Sequence, residues 1–401
     1  SDGAHKLVIA DNNSAFAACT DGSKWVVRDN APNAGDVNAL SRFEQDERLV
    51  VKSHAVDDYN YLTPSTELFA KMDGTTSAKG LDYEYPGRHL TLPDGKVRLK
   101  IRMEEHQSGR QISTGESLSP YVLPGTYFTL VEHMRTELNA DHVVRKVHHS
   151  ADQLTYQNRF ETSPKTVPFR PLRKTARPVV IGNHTAKVVG PANEEIWTDK
   201  HGRIKVQFPW DRLGKKDDKS SCWIRVSQSW AGQSWGALYL PRIGQEVLVS
   251  YIDGDPDRPL ITGSVYNAEQ VPPIALPGKS SQSTVLSRST KNGTAGNEMR
   301  FEDKKDAEEL YFHAQKDMLT EVENDLTTTV IAGNEAHTVK KGNRVVKVDT
   351  GNETHSVKGT RDLEVTGDET HTNKANFSQK VTGNYELKVT GNLVIDVTGT
   401  I

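Results

Sequence analysis

Residues 381–400 read VTGNYELKVTGNLVIDVTGT, and in this stretch the triplet Val-Thr-Gly returns every eight residues. The period extends upstream, where units begin at Gly333, Gly342, Gly351, Gly359, Gly367, Ala375, Gly383 and Gly391. The seventh position of the complete units is valine in all but one of them, at Val339, Val348, Val357, Val365, Val381, Val389 and Val397. Positions five and seven share one strand face, so the repeat predicts an inward row of valines. Glycine at the start of a unit predicts a turn with positive φ.

A unit of eight residues is too short to enclose a core by itself. At about 3.3 Å per residue it makes one strand of roughly 26 Å and a corner, so one chain cannot close the ring. Its apolar side chains also bury too little area to offset the ordering of its backbone. We therefore predict a homotrimeric, intertwined β-helix in residues 333–401. The alternative is a disordered tail, against which the regular valines and the absence of proline after Pro277 argue.

Composition and charge exclude several functional classes. The 401 residues carry 50 Lys+Arg and 53 Asp+Glu without a basic segment, so nucleic acid is not an expected partner. Cys19 and Cys222 belong to no CxxC pair, which fits synthesis in a reducing cytoplasm. Asp11 interrupts the apolar start, and no run reaches the roughly 18 apolar residues of a membrane span. We expect a cytoplasmic protein that is exported without a signal peptide.

Proline-rich segments divide the chain into four predicted regions. These are a β-rich domain at 1–175, a small closed barrel at 176–267, a linker and neck at 268–332 and the needle at 333–401. The barrel strands are predicted at 185–189, 204–208, 222–227, 237–240, 246–251 and 260–265. Residues 95–107 are ambiguous, because their apolar residues alternate as in a strand while their charged segment suits a helix; the pattern alone favours a strand.

Several stretches resemble the VgrG spike proteins of bacterial type VI secretion. In the predicted barrel they are EEIWTDKHGRIKVQFPWD (194–211), SCWIRVSQSWAG (221–232), GALYLPRIGQEVLV (236–249) and GDPDRP (254–259). Outside it they are YQNRF (156–160), VPFRP (167–171), NEMRFEDKK (297–305) and EVEND (321–325). The resemblance therefore extends over most of the chain.

This resemblance implies a mainly β fold: a partial phage-hub-like domain, an oligonucleotide/oligosaccharide-binding (OB) barrel and a trimeric β-helix needle. It also implies a helix at 95–107, against the pattern. Members of the family usually carry a longer hub module before the motif similar to LVIAD (7–11). We therefore expect that the first part of that module is missing here and that the needle stops within a repeat at Ile401.

The implied function is that of a trimeric, non-enzymatic cell-puncturing spike, which is finally secreted or injected into target cells. Its implied partners are an Hcp-like hexameric tube, the baseplate, a PAAR-type tip protein, effectors and adaptors, and transiently the target-cell membrane. The alternative is a phage-type baseplate spike with an associated cell-wall hydrolase, whose enzyme would have to fit into residues 268–332. A carbohydrate-binding tailspike fits the β-helix but not the hub and barrel motifs.

Few residues suggest chemistry. Asp253, Asp255 and Asp257 resemble the start of a calcium loop, but Arg258 stands where that loop needs glycine, so we expect a turn. No GxSxG or HExxH motif occurs, and we predict no catalytic residue and no cofactor. The position-five histidines of the repeat are His337, His355 and His371. A threefold axis would gather each into a ring that could hold an anion or a metal, or that could simply be packed or bonded to water.

Overall fold

The computed structural model describes residues 9–20, 22–28, 38–75 and 79–399. It divides into two compact units, Ser1–Gln315 and Lys316–Ile401, which are described separately. The expectations placed on the first two residues of the LVIAD motif and on Ile401 lie outside the described residues. No helix in the described ranges is both long and apolar enough to cross a bilayer.

The first unit is built mainly from strands, with one α-helix, α1, at Leu92–Ser108 in its described part. The strands, in chain order, are β1 (Ala17–Ala18), β2 (Lys24–Val27), β3 (Ala39–Glu47), β4 (Ser53–Val56), β5 (Ala70–Asp73), β6 (Leu81–Glu84), β7 (Gln111–Ser117), β8 (Thr126–Leu130), β9 (Asp141–Ala151), β10 (Tyr156–Pro164), β11 (His184–Val189), β12 (Lys205–Gln207), β13 (Arg225–Val226), β14 (Glu246–Tyr251), β15 (Pro259–Val265), β16 (Gln282–Leu286), β17 (Glu298–Glu302) and β18 (Glu309–His313).

Six strands of the N-terminal part close into a barrel. Their order is β8-β2-β3-β7-β10-β9, and antiparallel pairing of β8 with β9 completes the ring, while β1 extends β8. Aromatic side chains fill the interior, with Trp25 5.3 Å and Phe160 5.8 Å from Phe128 between ring centroids. Gly115 is required here, because a Cβ at this position would lie 2.4 Å from the ring of Phe160. This barrel confirms the predicted β-rich fold.

A small sheet beside this barrel, in the order β5-β4-β6, carries α1 on one face. The prediction of a strand at 95–107 from its pattern is therefore wrong, and the helix implied by the family resemblance is confirmed. Thr91 caps the helix by accepting a hydrogen bond from the backbone N–H of Asp94. Leu99 is buried against the sheet, whereas Val97 is 61% exposed. A strand would have placed both residues on one face.

A second barrel follows, with the strand order β12-β11-β14-β15-β13. An antiparallel bridge between Ile204 and Ile224 joins the two end strands and closes the ring around eight buried aliphatic residues. The small closed barrel predicted from the sequence is thus confirmed. The strand predicted at 237–240 is wrong, because these residues belong to no sheet.

The segment predicted as linker and neck has its own sheet. Antiparallel pairing joins β16 to β17 and β17 to β18. The face of this sheet exposes Phe301 and Phe312, at 41% and 58% of their surface. Residues 282–313, in the middle of the predicted linker and neck, therefore form a folded sheet instead of a linker.

The second unit is an extended chain with regular bends. Its described residues, 316–399, form neither a helix nor a strand ladder, and all of them are exposed. Bends occur where each repeat unit begins, including at Ala375. Positive φ occurs at Gly333, Gly342 and Gly351, but not at the glycines that begin the later units. Positive φ was the predicted reason for glycine at every corner, and this prediction is wrong for the later units. Alanine at position 375 is compatible with the same bend.

Candidate functional site

The valines of the repeat form a row of uniform exposure. At position seven they are 44–57% exposed, whereas apolar residues outside the row, such as Val345 and Val394, reach 83% and 82%. The row consists of Val339, Val348, Val357, Val365, Val381, Val389 and Val397. Since residues 316–399 are all exposed, their own unit does not cover this row. An apolar stripe of this length is typical of a surface that pairs with other chains.

The repeat histidines lie two positions after a glutamate. His355 Nε2 is 2.7 Å from Glu353 Oε1, and His371 Nε2 is 2.7 Å from Glu369 Oε1. Glu335 precedes His337 by the same interval. Residues two apart share a strand face, so each glutamate can orient its histidine along the chain. A ring needs three copies of the same histidine around a threefold axis, so a single chain does not test it and it stays a prediction.

The second barrel exposes an aromatic loop, residues 228–239, between β13 and β14. Trp230 and Trp235 pack edge to face at 5.0 Å between centroids and are 64% and 58% exposed. Backbone hydrogen bonds between these residues and their neighbours hold the loop, for example from the N–H of Ala237 to the carbonyl of Trp230. Gly236 has a φ of 130°, and a Cβ there would lie 2.4 Å from the Trp230 carbonyl. The loop thus presents a fixed apolar surface.

Reciprocal ion pairs join the loops of the small sheet β5-β4-β6 to the second barrel. Arg88, in the loop after β6, donates to Asp255 over 2.6 Å. In the opposite direction, Arg258 donates to Asp58 over 3.3 Å. Both carboxylates are only 4% exposed. Charges buried in this way are stabilising only when they are paired, so the four residues specify one arrangement of the small sheet against the second barrel.

Tyr61 lies at the same joint, between two arginines of the second barrel. Its hydroxyl accepts a hydrogen bond from Arg203 Nη1 over 2.7 Å. Arg225 stacks over its ring at 4.2 Å. The ion pair of Arg203 with Asp199 fixes the first arginine, at 2.6 Å. Sequence analysis missed the whole joint, and it assigned Asp255 only to a turn.

A cluster of two histidines and a carboxylate lies beside the small sheet. His54 on β4, Asp82 on β6 and His106 in the last turn of α1 bring ring nitrogens and a carboxylate oxygen to one point. Burial lowers the pKa of His54, although the charge of Asp82 opposes this effect. Sequence analysis missed the cluster, because no short-range spacing joins its members. It is separate from the histidines of the repeat.

Three known families match successive parts of the chain. Residues 1–155 match the phage tail baseplate hub (GPD), and residues 188–266 match the type VI secretion system/phage-baseplate injector OB domain. Residues 283–397 match the bacteriophage T4 gp5 C-terminal trimerisation domain. The order of these matches is the order of the first barrel, the second barrel and the repeat.

Two proteins of Pseudomonas aeruginosa are similar over long stretches. Type VI secretion system spike protein VgrG1b is 42% identical over 291 residues, which cover 69% of this chain and 39% of that protein. Spike protein VgrG4b is 34% identical over 366 residues, or 85% of this chain and 45% of that protein. The chain thus spans less than half the length of these curated relatives.

A solved structure of the E. coli c3393 protein is also similar. It is described as a component of the type VI secretion system with structural similarity to the T4 bacteriophage tail proteins gp27 and gp5. It shares 24% identity, with a TM-score of 0.35, over 43% of this chain and 44% of that one.

Proposed function

This chain is a member of the VgrG family of type VI secretion spike proteins over the part of those proteins that it covers, and from that premise we propose that three copies form a puncturing spike. The first barrel serves as a hub that caps an Hcp-like tube on the baseplate. The OB barrel joins the hub to a needle, which carries a PAAR-type tip protein, effectors and their adaptors into the target cell. The force comes from a contractile sheath.

The uncovered valine row is the observation that carries this proposal. Burying one valine contributes about 1.5–3 kcal/mol, so the row has a large gain available once it is covered. Three chains that wind together cover one another's rows and satisfy the backbone groups that the extended single chain leaves without a ladder. The match to a trimerisation domain over residues 283–397 supports the same number of copies.

Such a needle is suited to mechanical work. Each strand pairs with a different chain, so a pull on one chain is resisted by both neighbours, and closure leaves no lateral sheet edge. The glycines that begin the later units have neither positive φ nor a close neighbour within their own chain. We assign them to the close approach of a second chain at each corner. Charged residues of the repeat face water.

The joint between the small sheet of the hub and the OB barrel transmits the force within each copy. Asp58 and Asp255 are buried, and each is paired with an arginine from the other side of the joint, so sliding the hub against the OB barrel exposes unpaired charges. This cost makes the hub and the OB barrel move together. The aromatic loop at Trp230 and Trp235 supplies a further apolar contact between copies.

We assign no catalytic activity and no cofactor to this part of the chain. Residues 268–332, where a phage-type spike would carry a cell-wall hydrolase, contain the small sheet β16–β18 and little else. That alternative is therefore not favoured. The proposed domain limits are 1–175, 176–267, 268–332 and 333–401. The protein acts from the cytoplasm of the producing cell and leaves it by injection.

Disulfide trapping tests the needle. In a Cys222→Ser background, Val365→Cys places three thiols around the common axis, and oxidation should join two chains into a species that migrates as a dimer in a non-reducing gel. Thr366→Cys is the matched control, because neighbouring residues of a strand face opposite sides. Equal cross-linking of both variants, or none of either, would contradict the inward assignment of position seven.

A further inference from the structure

The cluster of His54, Asp82 and His106 has the geometry of a metal site. His54 Nδ1 and His106 Nε2 each lie 3.1 Å from the same oxygen, Asp82 Oδ2, and 3.4 Å from one another. We propose that these three atoms bind a zinc ion. The proposal does not depend on the trimer, since all three ligands come from one chain.

The distances among the three atoms match those among the ligands of tetrahedral zinc. With bonds of about 2.0–2.1 Å, two ligands of a tetrahedral ion are about 3.3–3.4 Å apart. The circle through the three atoms has a radius of about 1.9 Å, so an ion at bonding distance from each lies just outside their plane. Two imidazoles and one carboxylate are also a donor set that suits zinc better than magnesium or calcium.

Hydrogen bonds alone leave the cluster poorly satisfied. If His54 donates from Nδ1 to Asp82, its Nε2 keeps a lone pair in a buried position without a hydrogen-bond partner. That lone pair faces Glu84 Oε2 at 3.8 Å. If Nε2 carries the proton instead, it points towards Glu84, but Nδ1 then directs a lone pair at the Asp82 carboxylate. A cation between Nδ1 and Oδ2 gives that Nδ1 lone pair a partner and leaves the Nε2 proton directed at the charge of Glu84.

Neighbouring charges leave Asp82 available as a ligand. Arg102 and Arg173 form ion pairs with Glu84, at 2.8 Å and 3.3 Å. In the described part of the chain, the ion pairs of Asp82 are with the two histidines only. Glu84, neutralised by these arginines, lies 3.8 Å from the outer nitrogen of His54, and the negative charge of Asp82 faces the site.

The site is open on one side. The side chain of His54 is 1% exposed, whereas those of His106 and Asp82 are 29% and 45% exposed. An ion can therefore enter from solvent, and water can complete its coordination. Bound zinc ties the last turn of α1 to β4 and β6. The same strands lead into the loops that carry Asp58 and Arg88, so the ion stiffens the element that forms the joint.

Zinc titration of the untagged full chain tests the proposal. Isothermal calorimetry should give one zinc per chain, and the unfolding midpoint should rise by about 2 °C or more, since zinc binds the native state. Magnesium should have no effect. Each histidine ring of the needle, if it binds zinc, would take one ion per three chains, so the three rings at His337, His355 and His371 together would also take one ion per chain. Variants of the ligands, and not the stoichiometry, therefore separate the two sites.

Two variants locate the ion. Asp82→Asn keeps a hydrogen-bond partner for the histidines but is a poor zinc ligand, and His106→Gln removes one imidazole at a partly exposed position. Each should weaken zinc binding about tenfold or more. The matched controls are His201→Gln, on an exposed turn of the second barrel, and the combined replacement of His337, His355 and His371 by Gln. Both should retain one tight zinc per chain.

The zinc measurements on the parent chain and the variants either support the site or overturn it. A stoichiometry near one that is lost in Asp82→Asn and His106→Gln, and kept in the controls, supports the site. No zinc binding by the parent chain would overturn it, and the cluster would then be held by hydrogen bonds or by a protonated His54. Binding that persists in Asp82→Asn and disappears with the needle histidines would overturn it as well, because the ion would then belong to the repeat.

Discussion

Arg88 Nη1 lies 2.6 Å from Asp255 Oδ2, so a loop of the small sheet β5-β4-β6 neutralises a carboxylate that is buried in the second barrel. Asp255 is 4% exposed and also closes its own turn, where Oδ1 accepts a hydrogen bond from the N–H of Asp257. Asp255 therefore belongs both to this turn and to the joint between the small sheet and the second barrel. Loss of Arg88 would leave the buried charge of Asp255 unpaired.

We predict that Arg88→Met destabilises the protein by about 2–4 kcal/mol, because removing one partner of a buried ion pair leaves the other uncompensated. Arg88 is 27% exposed, which keeps the effect below the upper limit for such pairs. Chemical denaturation measures it. Arg42→Met is the control, since Arg42 pairs with Glu44 on the surface and should change stability by less than about 1 kcal/mol. Equal effects of the two replacements would refute the role of the joint.

Tyr61 should contribute through both its hydroxyl and its ring. Tyr61→Phe loses the hydrogen bond from Arg203 and should cost about 1–1.5 kcal/mol, whereas Tyr61→Leu also loses the stacking of Arg225 and should cost about 1 kcal/mol more. Denaturation curves of the two variants measure the difference. The exposed neighbour Tyr59 is the control, and Tyr59→Leu should be nearly neutral. Indistinguishable curves for the two Tyr61 variants would show that the ring makes no contribution.

The stability of the second barrel should fall in acid through Asp199. Burial alone raises the pKa of this carboxyl, but hydrogen bonds from Arg203 and from backbone N–H groups outweigh it and hold the pKa below its ordinary value. A carboxyl with a lowered folded pKa stabilises the fold above its unfolded pKa of about 3.9, and that contribution is lost as the pH falls through the folded value.

Asp199→Asn should accordingly be less stable than the parent chain at pH 7, and the difference should shrink below about pH 4. Thermal unfolding at several pH values measures this difference. Asp306→Asn, at an exposed position, is the matched control. A difference between Asp199→Asn and the parent that is the same at pH 7 and pH 3 would contradict the assignment.

Charge on the valine row should prevent assembly. Val365→Lys removes about 1.5–3 kcal/mol of burial per chain and places three like charges around one axis, so we expect loss of the trimer. Thr366→Lys adds the same charge on the opposite strand face and should assemble normally. Size-exclusion chromatography distinguishes them. In a secretion-competent strain, only Val365→Lys should also abolish release of the Hcp-like tube protein; normal release would argue against the needle proposal.

The sequence predicted the repeat and the closed barrel because both follow from local periodicity. The bends recur at the predicted unit starts, and β14 has the predicted limits. The strand predicted at residues 95–107 was wrong because the prediction considered only the alternating apolar residues. It did not consider the helix cap that precedes them. Thr91, followed by Pro93 and Asp94, is a helix start that was available in the sequence.

The joint and the histidine cluster could not be predicted in this way. Asp58 and Arg258 are 200 positions apart, and His54 and His106 are 52 apart. Only the folded sheets bring these side chains together, and nothing in their local spacing distinguishes them from surface residues. Local periodicity therefore identifies the repeat and most of the barrel strands, whereas contacts between residues that are distant in the sequence require the fold.

The mass of the native particle tests the central claim most directly. Light scattering or native mass spectrometry of the 44.5 kDa chain should give three copies, about 134 kDa, at micromolar concentration. A stable particle of 44.5 kDa would contradict the shared core, and with it the proposal that the valine row builds a needle.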